Sequence, residues 1–147
     1  MRIVLDAMGS DSRPIADVAG AVDAAREWGV GVVLVGPEAQ LKAELAKHNT
    51  RGLPLEVITA TQVIEMREHP ANAVKEKKDS SIVVGMQLVK RGDAAGFASA
   101  GNTGAVMAAA LFTLGRVKGV KRPGLAAVVP RDVQPLLVID VGANTDC

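Results

Sequence analysis

Val30-Gly31-Val32-Val33-Leu34-Val35 is an unbroken apolar run. A strand with one wet face alternates apolar and polar side chains. A run with no polar position suits a strand buried on both faces, as in a parallel sheet covered by helices. The flanks agree. Before the run, Ile15, Val18, Ala19, Val22 and Ala25 recur at helical spacing. Pro14 falls in that helix's first turn, Asp11 or Ser12 is the expected N-cap, and Gly29 closes it. After the run, Pro37 to about His48 reads as a second helix, with Leu41 and Leu45 four apart. Arg2–Ala7 and Leu55–Thr59 read as strands beside the first.

Strand and helix continue to alternate. Thr61–His69 reads as a loop or a short extra element. Pro70–Lys78 and Ser80–Arg91 read as helices, the second ending at Gly92. Ala95–Ala100 reads as a strand, Thr103–Leu114 as a helix and Arg116–Pro123 as a basic loop. Leu125–Val129 and Leu136–Val141 read as two more strands. The expected class is α/β: a three-layer, doubly wound, mostly parallel sheet with helices on both faces. In such open sheets ligands bind outside the carboxyl ends of the strands. That rule singles out the loops after Ala7, after Ala100 and after Val141.

Composition narrows the function. The chain has 147 residues, 48% hydrophobic and 22% charged, which suits one globular domain rather than a disordered segment. A formal net charge of +1 argues against a polyanionic partner. Two Phe, one Trp and no Tyr leave a core of small aliphatic residues and few aromatics for base stacking, so no nucleic-acid partner is expected. The one cysteine, Cys147, excludes an internal disulfide and any metal site with two cysteine ligands, and fits a cytoplasmic setting. Met1-Arg2-Ile3-Val4-Leu5-Asp6 reads as a strand, not a signal peptide. The apolar stretch Ala105–Leu114 is too short to span a bilayer and reads as a core helix.

The loop after Ala100 is Gly101-Asn102-Thr103-Gly104, opening a helix. Helix starts offer unpaired N–H groups and the positive end of a dipole, which together attract anions. Gly101 lets a ligand approach the backbone. Thr103 adds a hydroxyl and Asn102 an amide. The competing interpretation is a helix capped by Asn-Thr and packed through Ala105, Ala108 and Ala109. The loop lacks the lysine of a P-loop and the spacing of the dinucleotide fingerprint. After Val141 come Gly142, Ala143 and Asn144, with Asp140 at the strand end: either a ligand loop or a plain turn. After Ala7, Asp6 sits at the strand end and can orient a donor or a cation, or else brace loop amides. His48 and His69 have no serine–carboxylate partner pattern, so a hydrolase triad is not expected. Lys75, Lys77, Lys78, Lys90, Arg91, Arg116, Lys118, Lys121 and Arg122 form basic clusters that are either solvated faces or a docking surface for an acidic partner.

Four segments together resemble the bacterial phosphate acyltransferases of phospholipid synthesis, the PlsX family. They are Ile3-Val4-Leu5-Asp6-Ala7-Met8-Gly9, Lys77-Lys78-Asp79-Ser80-Ser81, Ser99-Ala100-Gly101-Asn102-Thr103-Gly104-Ala105 and Asp140-Val141-Gly142-Ala143-Asn144. Gly115-Arg116 and Arg122-Pro123 also fit, and the order and spacing hold along the whole chain. Members of that family are longer, so residues 1–147 are expected to be the amino-terminal part of one α/β acyltransferase domain, truncated. Two positions depart from the family pattern. Ser10 and Ser12 stand where a second glycine and a histidine are common, and Arg67 stands where an acidic residue is common.

The resemblance implies a fold related to phosphotransacetylases and isopropylmalate-dehydrogenase-like proteins. It implies transfer of a fatty acyl group from acyl carrier protein to inorganic phosphate, without cofactor or metal. It also implies a cytoplasmic homodimer with peripheral membrane contact and a glycerol-phosphate acyltransferase partner. Phosphate is itself the nucleophile, so the protein has to hold phosphate and thioester together and stabilise the oxyanion. The residues expected to do so are Asn102, Thr103, Asn144 and Asp6, with Gly101, Asn102, Thr103, Gly104 and Gly142 around the phosphate. Ser80 and Ser81 are expected to cap their helix. The alternatives are a coenzyme A-dependent phosphate acyltransferase on the same fold and a non-catalytic, membrane-associated binding protein. The latter is supported only by the basic loop Arg116–Arg122.

Overall fold

The computed structural model describes residues 1–121, 123–130, 132 and 134–139. They fall into two units, Met1–Leu114 and the segment from Gly115 onward. In the first unit, β1 (Arg2–Asp6), β2 (Gly31–Gly36), β3 (Leu55–Thr59) and β4 (Gly96–Ala98) form one sheet in the order β3-β2-β1-β4. All its pairings are parallel. Strand β2 is buried at every position, as its unbroken apolar run requires. The chain runs outward from β1 through β2 to β3, then crosses back to place β4 on the other side of β1. This reversal makes the fold doubly wound.

Strand pleating sorts the core into two faces. Val32 and Leu34 of β2 point to one face, where α1 (Ile15–Trp28) and α2 (Glu38–Leu45) bring Val18, Val22, Ala25 and Leu41. Val4, Val33 and Val35 point to the other, against Leu88 of α4 (Ser81–Arg91) and Phe97 of β4. A further apolar cluster joins α4 to α3 (Pro70–Glu76) and α5 (Thr103–Thr113) through Val74, Ile82, Met86 and Ala105. Ala105, Ala108 and Ala109 are the buried positions of α5. Among the described residues, no helix is long and apolar enough to cross a membrane.

Helix boundaries follow local chemistry with one exception. Gly29 and Gly92 close α1 and α4 in the left-handed conformation. Ser80 caps α4 by accepting from the Val83 amide, as expected. Helix α1 differs: its N-cap position is Pro14, with no side-chain cap. The backbone carbonyl of Ser12 takes the Ile15 amide instead, so neither Asp11 nor Ser12 caps through its side chain. Ile15, expected in the core, is exposed, and Ala21 is buried beside Val18, Val22 and Ala25.

In the second unit, β5 (Ala126–Val129) and β6 (Leu136–Ile139) pair with each other in antiparallel fashion. The connection between them is too short for a parallel crossover, which takes a dozen or more residues. Their carboxyl ends therefore point in opposite directions, and the parallel-sheet rule for locating ligand loops does not carry over to this pair.

Gly85 sets how closely α4 approaches the sheet. A Cβ there would lie 2.4 Å from Cε2 of Phe97 and 3.1 Å from Cγ1 of Val4. Overpacking a tight core costs about 1–3 kcal/mol, more than the ~1 kcal/mol of helix propensity that alanine offers over glycine. Gly85→Ala is expected to lower the denaturation midpoint; an unchanged or raised midpoint would contradict this packing.

Candidate functional site

The loops after β1 and β4 meet at the point where the strand order reverses, the place where open α/β sheets bind ligands. Asp6, at the end of β1, is 1% exposed and joins them. Its Oδ1 accepts from the Met8 amide at 3.1 Å. Its Oδ2 accepts from the Ser99 hydroxyl at 2.7 Å. Ser99 Oγ in turn accepts from the Gly101 amide at 3.0 Å. The two loops touch through glycines. A Cβ on Gly9 would lie 2.9 Å from the Gly101 nitrogen, and one on Gly101 would lie 3.2 Å from Gly9 Cα. Any side chain at either position would push the loops apart.

Asn102 is the N-cap of α5 and is buried. Its Oδ1 accepts from the Ala105 amide at 3.0 Å. Its Nδ2 faces the carbonyls of Glu65, Met66 and Glu68 at 3.2, 3.3 and 3.1 Å. The amide is thus fully engaged in fixing the helix start to the 61–69 loop. The first two amides of α5, those of Thr103 and Gly104, meet no protein acceptor among the described residues, as is general for a helix start. Thr103 is exposed. Gly104 permits close packing, since a Cβ would lie 2.6 Å from Cγ of Pro70 at the start of α3.

The 61–69 segment, ambiguous in sequence, is a braced loop. Thr61 donates its amide and hydroxyl to Asp79. Lys77 Nζ donates to Val63 O at 2.7 Å and to Glu68 Oε2 at 2.6 Å. The Lys77 bond and the Glu65 amide hold the Glu68 carboxyl below its ordinary pKa. Arg13 donates to both carboxylate oxygens of Glu65, at 2.9 and 3.0 Å, and reaches Met8 O at 3.4 Å. Between this loop and the loop after β1 lies a cleft of about 380 Å³ lined by Gly9, Ser10, Asp11, Arg13, Glu65, Met66 and Arg67.

Of the expected site residues, the structure brings Asp6, Gly101, Asn102, Thr103 and Gly104 to this one edge. Gly142 and Asn144, with Asp140, Arg122 and Cys147, lie outside the described residues. Ser99 and Gly9 stand inside the quoted motifs without a role of their own in the sequence reading, and Arg13 lies outside those motifs. Glycine and serine directly after apolar strands were the available signal.

The departures from the family pattern are built in. Ser10 donates to Asp17 Oδ2 at 2.6 Å, and Arg67 lines the cleft. Burial pushes the Asp17 carboxyl above its ordinary pKa; the Ser10 bond opposes the rise and the nearby Asp6 charge adds to it. Three of the basic residues are engaged with neighbours. Lys77 is committed to Glu68, Arg91 pairs with Asp93, and Lys75 sits over the Phe112 ring. His48 lies 3.9 Å from Glu44 and is remote in sequence from the cleft loops.

The family model described as fatty acid synthesis protein matches residues 1–147. The chain belongs to that family. Phosphate acyltransferases of Herpetosiphon aurantiacus and Pelotomaculum thermopropionicum are 53% and 52% identical to it over 147 residues. That of Dictyoglomus turgidum is 49% identical over 148 residues. The alignments cover 100% of this chain and 40%, 43% and 44% of those relatives. The chain thus spans about two fifths of the length of the curated relatives it matches. The family resemblance carried by the four motifs holds, and two of its three glycine-bearing loops are the ones Asp6 ties together.

Asp6→Ala leaves the Met8 amide and the Ser99 hydroxyl without their buried acceptor. It is expected to cost about 2–3 kcal/mol in a denaturant titration, as for lost hydrogen bonds to a charged group, with Ser99→Ala costing less. A neutral Asp6→Ala would show that the carboxylate does not hold the loops.

Asp17 gives a pH signature. Its folded pKa is raised, so the folded state holds a proton that the unfolded state has released. That contribution is full below the ordinary aspartate value and is lost as pH rises through the raised folded value. Relative to Asp17→Asn, the parent chain should lose stability across that window. Parallel stability–pH curves for the two would refute the raised pKa.

Proposed function

We propose that these residues form part of an acyl-carrier-protein:phosphate acyltransferase, which makes acyl phosphate from fatty acyl carrier protein and inorganic phosphate for phospholipid synthesis. The observation that carries the proposal is the coincidence of two facts. Relatives at about half identity are named phosphate acyltransferase, and the loops after β1 and β4 of this chain converge on the start of α5 at the sheet's switch point.

In the proposed reaction a phosphate oxygen attacks the thioester carbonyl. The new carbon–oxygen bond forms as the carbon–sulfur bond breaks, and the carrier protein leaves as its thiol after taking up a proton. The amides of Thr103 and Gly104 and the Thr103 hydroxyl hold phosphate at the positive end of α5. Gly101 lets the anion approach the backbone. Asn102 and Asp6 are positioning residues: the first fixes the helix start and the second fixes both loops. Gly142 and Asn144 are assigned to the phosphate or the oxyanion on the family motif alone.

The rest of the proposal follows the same family. Residues 1–147 are read as the amino-terminal portion of one acyltransferase domain. The working enzyme is a cytoplasmic homodimer in peripheral contact with the membrane, supplying acyl phosphate to a glycerol-phosphate acyltransferase. A coenzyme A thioester in place of the carrier protein is the competing donor, and steady-state assays with both thioesters separate the two.

Losing one hydrogen bond to an ionic group costs about 1.5–3 kcal/mol, or roughly 10- to 100-fold in affinity. Thr103→Ala in a full-length family enzyme is therefore expected to raise the KM for phosphate at least several-fold, with the KM for the acyl donor little changed. Unaltered phosphate saturation would remove Thr103 from the site.

A further inference from the structure

On the α1 side of the sheet, β1 is only partly covered and β4 is open. Pleating sends Ile3 and Leu5 to this face and Val4 to the other. Val4 is completely buried, whereas Ile3 and Leu5 are only partly buried on a strand that has neighbours on both sides. Ala98, paired with Leu5, is exposed. These three residues floor an apolar groove of about 670 Å³. Its wall is the α1 stripe Ala16, Gly20 and Ala24, four apart on one helix face. A Cβ on Gly20 would meet nothing within 4 Å. At the far end, Trp28 lines the groove and is 72% exposed.

We propose that this groove seats an apolar-faced α-helix contributed by the part of a family-length chain that residues 1–147 do not span. Parallel sheets are covered by helices on both faces, and here α1 and α2 cover only the β1–β2–β3 side of this face. A stripe of small residues admits a second helix at close range. The chain covers only 40–44% of its relatives' length, so a family-length chain has polypeptide to supply it. Chain topology narrows the source. Crossovers stepping from β1 through β2 to β3 put α1 and α2 on this face, while the step back toward β4 put α4 on the other. Under the right-handed rule, helices that follow strands added outward from β4 also fall on the α4 side. The occupant therefore comes from a segment that returns toward β1.

The test compares this 147-residue chain with the full-length Herpetosiphon aurantiacus relative. The short chain carries Ala24→Cys and the relative carries cysteine by substitution at the aligned position, and maleimide labelling of that peptide is followed by mass spectrometry. Labelling should be fast in the short chain and slower by about tenfold or more in the full-length protein, as for a site reached only by local opening. In parallel, Gly20→Leu should leave the melting temperature of the short chain unchanged or higher, and the equivalent change should lower that of the full-length protein. Equal labelling rates would overturn the proposal. So would protection that develops in the short chain with its own concentration, pointing to a second copy. Protection on adding a fatty acid alone, with none in the full-length protein, would overturn it in favour of a lipid.

Discussion

The Asp6 carboxylate lies at the end of the central strand, almost wholly buried, with one oxygen on its own loop and the other on the loop after β4. Residues 6 and 99 are far apart in the chain, so this pair closes the sheet's switch point. A buried carboxylate is tolerated only when its oxygens are met by donors. The Met8 amide and the Ser99 hydroxyl supply them, and Ser99 passes the restraint on to Gly101. Two glycines then bring the backbones into contact. From this junction α5 takes its starting point, and with it the direction in which the Thr103 and Gly104 amides face.

Asn102 performs the complementary task. It caps α5 with its oxygen and draws the 61–69 loop in with its nitrogen. That loop, further tied by Lys77, Asp79 and Arg13, becomes a wall of the cleft. An asparagine is well suited to this because a single side chain offers both an acceptor and two donors. The same property that makes it look like a ligand residue in sequence makes it a structural brace in the fold.

Much of the fold was legible in the sequence because it is encoded locally. The apolar run at residues 30–35 marks a strand buried on both faces, and β2 is buried throughout. Gly29, Gly92 and Ser80 mark helix ends by their own backbone and side-chain chemistry. What escaped depends on partners distant in the chain. The 61–69 loop has no periodicity because residues 13, 77, 79 and 102 shape it. The antiparallel pairing of β5 with β6 is fixed by a short connection, not by the composition of the strands. The start of α1 is set by a backbone carbonyl, which no residue type announces. At the site, the motif residues were visible. The division between those that face outward, such as Thr103, and those that are consumed internally, such as Asn102 and Asp6, required the structure.

In the proposed site, the junction held by Asp6 presents the first amides of α5 to phosphate. A crystal structure of a full-length family enzyme grown or soaked with inorganic phosphate tests it most directly. The anion is expected within hydrogen-bonding distance of the amides at the positions of Thr103 and Gly104 and of the Thr103 hydroxyl. An ordered phosphate elsewhere in the protein, with those amides facing only solvent, would contradict it.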